Sequence, residues 1–134
     1  MTLLFHGPNT YVNSSWYQVN DVSTWNYVTV QVEGVPVLEE SYEALLKILK
    51  STTDLANKLY EDQWDFYIPE DLKSETDLTE AIGGFSVVPT KLFGKFKLSQ
   101  SKSPEDQKRI IKELNQRKDE NSRLIAKLMA ENIC

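Results

Sequence analysis

Between Leu3 and Val32, aromatic, amide and turn-forming residues are interleaved too densely for a helix, and this stretch constrains the fold more than any other. It runs Phe5-His6-Gly7-Pro8-Asn9-Thr10-Tyr11, then Ser15-Trp16-Tyr17, then Thr24-Trp25-Asn26-Tyr27. Two of the three tryptophans, three of the six tyrosines and the only histidine lie in it. Such a composition reads as strands and tight turns around a pocket. From Thr24 to Glu33, strict alternation puts Asn26, Val28, Val30 and Val32 on one face and Trp25, Tyr27, Thr29 and Gln31 on the other. Neither set is plainly suited to water, so a barrel-like or interface strand is expected rather than an edge strand. Gly34 is expected to close a turn into Val35-Pro36-Val37-Leu38, making a β-hairpin with Pro36 where no ladder N–H is needed.

Downstream the period changes. Tyr42, Leu45, Leu46, Ile48 and Leu49 fall at helical spacing, and Glu43 and Lys47 form an i,i+4 pair. Ser51-Thr52-Thr53-Asp54 is expected to interrupt this helix before Leu55, Ala56, Leu59 and Tyr60 resume it. Trp64, Phe66, Tyr67 and Ile68 are expected to fold back over the sheet. Residues 70–82 read as an acidic helix ended by Gly83-Gly84 in the left-handed region. Phe85 to Leu98 returns to extended character, as two strands or one bent at Gly94.

Ser103-Pro104-Glu105-Asp106 carries the clearest start signal. Ser103 can cap, Pro104 suits the first helical position, and the two acids favour the N-terminal dipole. Ile110, Ile111 and Leu114 make one apolar stripe, and Leu124, Ile125, Leu128 and Met129 make another. Polar residues separate the two, giving two helical pieces or one bent one. The expected architecture is a single α+β domain over residues 1–134, with strands in 1–38 and 85–100, inserted helices in 39–82 and a helical segment in 103–133.

Composition mainly excludes. No window approaches the roughly 20 apolar residues of a membrane helix, and Met1-Thr2-Leu3-Leu4-Phe5 lacks a basic leader, so a cytoplasmic protein is expected. One histidine and a lone terminal cysteine, Cys134, leave little material for a Cys/His nucleophile pair, a zinc site or an intrachain disulfide. No phosphate-binding glycine loop is present. A net charge of −5 argues against non-specific DNA binding by the chain as a whole, though a local basic face remains compatible with it. His6, beside Gly7-Pro8, reads as a hydrogen-bonded turn residue before it reads as a catalytic base, and no catalytic residue is assigned.

The motifs also carry a resemblance. Phe-His-Gly-Pro-Asn-Thr-Tyr-Val, then Ser-Trp-Tyr, then Thr-Trp-Asn-Tyr-Val, and later Gly94-Lys95-Phe96-Lys97-Leu98-Ser99-Gln100, resemble the PaiB family, a branch of the FMN-binding split β-barrels. The similarity runs in order to Leu124-Ile125-Ala126-Lys127-Leu128-Met129. It implies an antiparallel split β-barrel, a homodimer with FMN at the subunit interface, and a role in regulating transcription. Carried onto this chain, it implies FMN contacts from Trp25, Asn26, Lys97, Ser99 and Gln100.

On residues alone, Trp16, Tyr17, Trp25 and Tyr27 read as core or interface aromatics before they read as ligand contacts, and Lys97 and Gln100 read equally as a solvated strand end. Departures from the family pattern are Ser14 and Ser23 in place of Pro, Phe96 in place of Trp, and Ser101 in place of Asn. Set against the family, the chain is also expected to lack an N-terminal region that supplies barrel strands and much of the phosphate site. The barrel would then be incomplete, its edges covered by another subunit, a swapped element or a separate fragment. Two other functions stay open: a flavin-dependent oxidoreductase, and a cofactor-free interaction module.

Overall fold

The computed structural model describes residues 1–69 and 80–132. Strands β1 (Thr2–Val12), β2 (Thr24–Glu39) and β3 (Gly84–Lys97) form an antiparallel sheet in that order. Helix α1 (Tyr42–Tyr60) lies between β2 and β3 in sequence; α2 (Pro104–Gln116) and α3 (Glu120–Asn132) follow β3. The fold is α+β as expected, and its described strands form an open three-stranded sheet, where the resemblance implies a split barrel incomplete at its N-terminus. The acidic helix expected over 70–82 lies mostly outside the described residues, although Glu80 and Ala81 have helical backbone.

The chain divides into two compact units. One comprises Thr2–Glu33 and Thr90–Cys134; the other is Met1 with Gly34–Pro89. They are called here the helix-backed unit and the inserted unit, and β2 and β3 each pass from one to the other in sequence.

In the helix-backed unit, β1 pairs antiparallel with β2 from Thr2↔Glu33 to Val12↔Thr24. The register shifts between His6 and Asn9, so Gly7 and Pro8 form a bulge opposite Val28 instead of the expected turn. The physical effect is a change of phase. Before the bulge Leu4 and His6 stand opposite Gln31 and Thr29; after it Asn9 and Tyr11 stand opposite Tyr27 and Trp25, still on the same face. The opposite face thereby receives Thr10 and Val12, both buried, beside the buried Asn26 and Val28. Helices α2 and α3 cover this second face with Ile110, Leu114, Ile125, Ala126 and Met129, which join Val12, Tyr17, Val28 and Leu98 in one apolar cluster.

Helix α2 begins as the sequence indicates, and α3 is a separate helix with its own start. Ser103 Oγ accepts from the Asp106 N–H (3.1 Å) at the start of α2. Asp119 Oδ1 accepts from the Ser122 N–H (2.8 Å) at the start of α3. That hydrogen bond holds the Asp119 carboxyl below the usual carboxylate range. At the junction, Arg117 Nη1 donates to Thr10 Oγ1 and to the Tyr11 carbonyl, both at 2.9 Å, and its guanidinium lies 5.0 Å from the Trp16 ring centre. Thr10 Oγ1 and Ser122 Oγ are hydrogen-bonded at 2.8 Å.

In the inserted unit, several expectations are corrected. Gly34 does not close a turn: it lies inside the continuous strand β2, exchanging hydrogen bonds with Met1 at 3.0 and 2.8 Å. Glycine is required there because a Cβ would come within 2.4 Å of the Val88 carbonyl oxygen. Pro36, two residues on, has its nitrogen on the same side as that of Gly34, where β1 has already ended, so no ladder bond is lost. β3 is likewise one strand through Pro89 and Gly94.

Helix α1 is also continuous. Ser51 Oγ and Thr52 Oγ1 donate to the Lys47 and Ile48 carbonyls at 2.7 and 2.9 Å, which lets the helix carry these residues instead of breaking at them. Its left-handed cap is Glu61 (φ 58°). Neither Gly83 nor Gly84 has positive φ, which corrects the expected glycine cap. Gly84 starts β3 instead, where a Cβ would lie 2.8 Å from both Leu45 and Ile48. Trp64 turns back onto α1, not onto the sheet: its carbonyl accepts from Asn57 Nδ2 at 2.8 Å.

Candidate ligand site on the uncovered sheet face

The sheet face of the helix-backed unit that α2 and α3 leave uncovered carries a cleft of about 450 Å³. Leu4, His6 and Asn9 come from β1, Trp25, Tyr27 and Thr29 from β2, and Lys95 from β3. Alternation along β2 and the phase change at the bulge bring these side chains to one side. Trp25 is 49% exposed, so it is not a core residue. Its Nε1–H donates to Asn9 Oδ1 at 3.2 Å, and its ring tilts against Tyr11 with centroids 6.1 Å apart. These contacts fix the indole while leaving much of it in the open.

Two cations converge on Tyr27. Lys95 Nζ lies 5.6 Å and Lys97 Nζ 6.0 Å from its ring centre. Lys97 also donates to Thr24 Oγ1 at 2.7 Å. Among the described residues neither lysine has a carboxylate partner; the ion pairs of this unit are Lys91 with Glu33 and Lys102 with Asp21. The cleft therefore joins an aromatic wall to uncompensated positive charge.

The five residues expected to contact ligand are divided by the fold. Trp25 lines the cleft, and Lys97 reaches the ring of Tyr27, one of its walls. Asn26 is fully buried on the opposite face, where Oδ1 accepts from Ser99 Oγ at 3.0 Å and Nδ2 lies 3.5 Å from Met129 Sδ. Ser99 is 6% exposed and holds a left-handed φ of 59°. That conformation costs a non-glycine residue on the order of 1 kcal/mol or more. Gln100 is engaged locally, accepting from the Leu98 N–H (2.8 Å) and donating to the Phe96 carbonyl (2.6 Å). Asn26, Ser99 and Gln100 thus fasten the end of β3 to the core behind the cleft.

Of the lining residues, only Trp25 was selected by sequence reasoning; Leu4, His6, Asn9, Tyr27, Thr29 and Lys95 were not. Lys95 lies two residues before Lys97, a period-2 relation that was legible. The β1 residues were not, because the bulge reverses which of them face the cleft.

Beside the core, Lys102 lies 4.4 Å from the Tyr17 ring centre and is bonded to Asp21. The pairing raises the pKa of Lys102 and lowers that of Asp21. Burial pushes the Tyr17 phenol upward, and among the described residues its hydroxyl has no hydrogen-bond partner.

Residues 1–91 match the family described as "Putative FMN-binding domain", and the chain belongs to that family. It is PaiB-like: the protein named "Protease synthase and sporulation protein PAI 2" of Bacillus subtilis is 29% identical over 136 residues, covering 98% of this chain. The chain spans 62% of that relative's length. Lys95 and Lys97 fall just beyond the residues matched by the family.

Proposed function

We propose that the chain binds FMN in the cleft between β1, β2 and β3 and acts as a homodimeric, PaiB-like regulatory protein of the cytoplasm. One observation carries the reading: in a member of an FMN-binding family, two lysines without acidic partners flank an aromatic cleft of about 450 Å³. A flavin ring needs an apolar wall with a few polar groups at its edge, and its phosphate needs cations or free N–H groups. Trp25 and Tyr27 suit the ring, Asn9 and His6 its polar edge, and Lys95 and Lys97 the phosphate. Asn26, Ser99 and Gln100 act as positioning residues behind them. When bound, the flavin supplies reversible one- and two-electron chemistry.

The regulatory role is carried over from the relative, whose name refers to protease synthesis and sporulation. A homodimer accords with the exposed apolar face around the cleft, where Leu4 and Trp25 are 53% and 49% exposed. In this reading a second copy completes the split barrel.

The test compares FMN with riboflavin, which lacks the phosphate, by quenching of flavin fluorescence. The unmodified protein should bind FMN more tightly, and Lys95→Gln with Lys97→Gln should abolish that preference while leaving riboflavin affinity alone. Trp25→Ala should weaken both ligands. Absence of quenching by either flavin would refute the cleft as a flavin site, and sedimentation showing only monomer would refute the dimer.

A further inference from the structure

Helices α2 and α3 present a second charged feature that the flavin reading does not use. Between Lys108 and Lys127 stand seven Lys and Arg residues against three acids, and among the described residues none of the seven closes an ion pair with a carboxylate. The ordinary fate of a mixed helical surface is mutual neutralisation across i,i+4 neighbours. Arg117 and Arg123 are held within the fold by hydrogen bonds to Thr10, the Tyr11 carbonyl and the Arg117 carbonyl, while the exposed Arg109 and Lys112 stay available to an outside partner.

This surface contains a cleft. Ser15 and Trp16 from the short helical turn Ser14–Trp16, with Arg109, Lys112 and Glu113 from α2, line a recess of about 360 Å³. Trp16 is half-buried and held from within by the Arg117 guanidinium 5.0 Å from its ring centre. The indole is thus fixed before any ligand arrives. A rigid aromatic next to two free cations is the combination that binds single-stranded nucleic acid: bases stack on the ring and phosphates follow the charge. Glu113 limits what fits. Its carboxylate accepts hydrogen bonds only, repels phosphate, and favours a base that presents an amino group, as cytosine does.

We propose that the recess between Trp16 and α2 binds single-stranded nucleic acid, with the base on Trp16, the backbone phosphates on Arg109 and Lys112, and an amino-bearing base preferred by Glu113. The net charge of −5 argues against binding by the chain as a whole, and Arg109 and Lys112 supply the local positive charge that the recess needs. It is separate from the flavin cleft and shares no lining residue with it.

The experiment measures fluorescence anisotropy of labelled oligo-dC and oligo-dT with the full chain over a salt series. Oligo-dC should bind more tightly, and its affinity should fall steeply as salt rises. Arg109→Glu with Lys112→Glu, both on the exposed side of α2, should weaken binding by about ten-fold or more while the melting temperature holds. Glu113→Gln should narrow the difference between the two oligonucleotides, and saturating FMN should displace neither. The proposal is overturned if neither oligonucleotide binds at low salt, if the double charge reversal leaves binding unchanged, or if heparin competes as well as oligo-dC without regard to base. Because these variants leave Lys95 and Lys97 intact, failure here is distinguishable from failure of the flavin site.

Discussion

The helix-backed unit and the inserted unit use the same kinds of residue to different ends. Nine apolar side chains are buried in the first, drawn from two strands, two helices and their connections; in the second, among the described residues, only Leu45 is. Yet the inserted unit does not lack large apolar groups: Leu55, Leu59, Tyr60, Trp64 and Phe85 are all more than half exposed. Charge divides as well. The inserted unit has twelve acids against four lysines, and the helix-backed unit eight acids against eleven cations. The larger buried core and the excess of positive charge therefore belong to the same unit. What separates the units is that each α2 and α3 stripe meets a partner face, whereas α1 leaves Ile48, Leu55, Leu59 and Tyr60 exposed.

The largest test of this contrast is a pair of truncations. Leu114→Ala, at a fully buried position, should cost about 2–5 kcal/mol in urea denaturation. Leu55→Ala, at a site 57% exposed, should change stability by no more than about 0.5 kcal/mol. Equal losses would erase the distinction. Native-state hydrogen exchange should correspondingly protect α2 and α3 amides more strongly than those of α1.

A smaller effect sharpens the account of how the cleft is held. Asn26→Ala leaves the buried Ser99 hydroxyl without its acceptor and should cost about 1–3 kcal/mol. Adding Ser99→Ala should cost less than the two single changes summed, since the residues act as one contact. Strict additivity would mean that the end of β3 is secured by other means.

The smallest change concerns Tyr17, whose buried hydroxyl is unpartnered among the described residues. Tyr17→Phe should leave stability within about 0.5 kcal/mol of the parent at neutral pH. The difference emerges in alkali. Burial raises the phenol above its ordinary value in the folded chain, so the folded state holds this proton more tightly than the unfolded one. That contribution is complete below the unfolded phenol's pKa and is lost as pH climbs through the folded one. Unfolding curves should therefore show the parent weakening at high pH while the Phe variant does not.

Much of the fold was legible because local chemistry and tertiary environment agree. The Ser103-Pro104 start of α2, the two C-terminal stripes and the split of β2 into an Asn26/Val28 face and a Trp25/Tyr27 face all appear as expected. Where residues have two competing uses, the pattern misled. Gly34 signals a turn, but close approach of the Val88 carbonyl requires glycine equally well. Ser51 and Thr52 signal a cap, but their hydroxyls satisfy carbonyls within α1. Gly7-Pro8 signals a turn and forms a bulge. The candidate site was half legible for that last reason. Trp25 follows from alternation within β2, whereas the side on which His6 and Asn9 stand depends on one extra residue in β1 that no period announces.

Thr10 and Ser122 touch across 112 positions of sequence, and this has a consequence for biosynthesis. Strand β1 leaves the ribosome long before the helix it must meet, and its buried Thr10 and Val12 have no native shelter until the final quarter of the chain is made. A slow codon stretch placed late in the message would prolong that interval, and should lower the yield of folded protein relative to an evenly translated message.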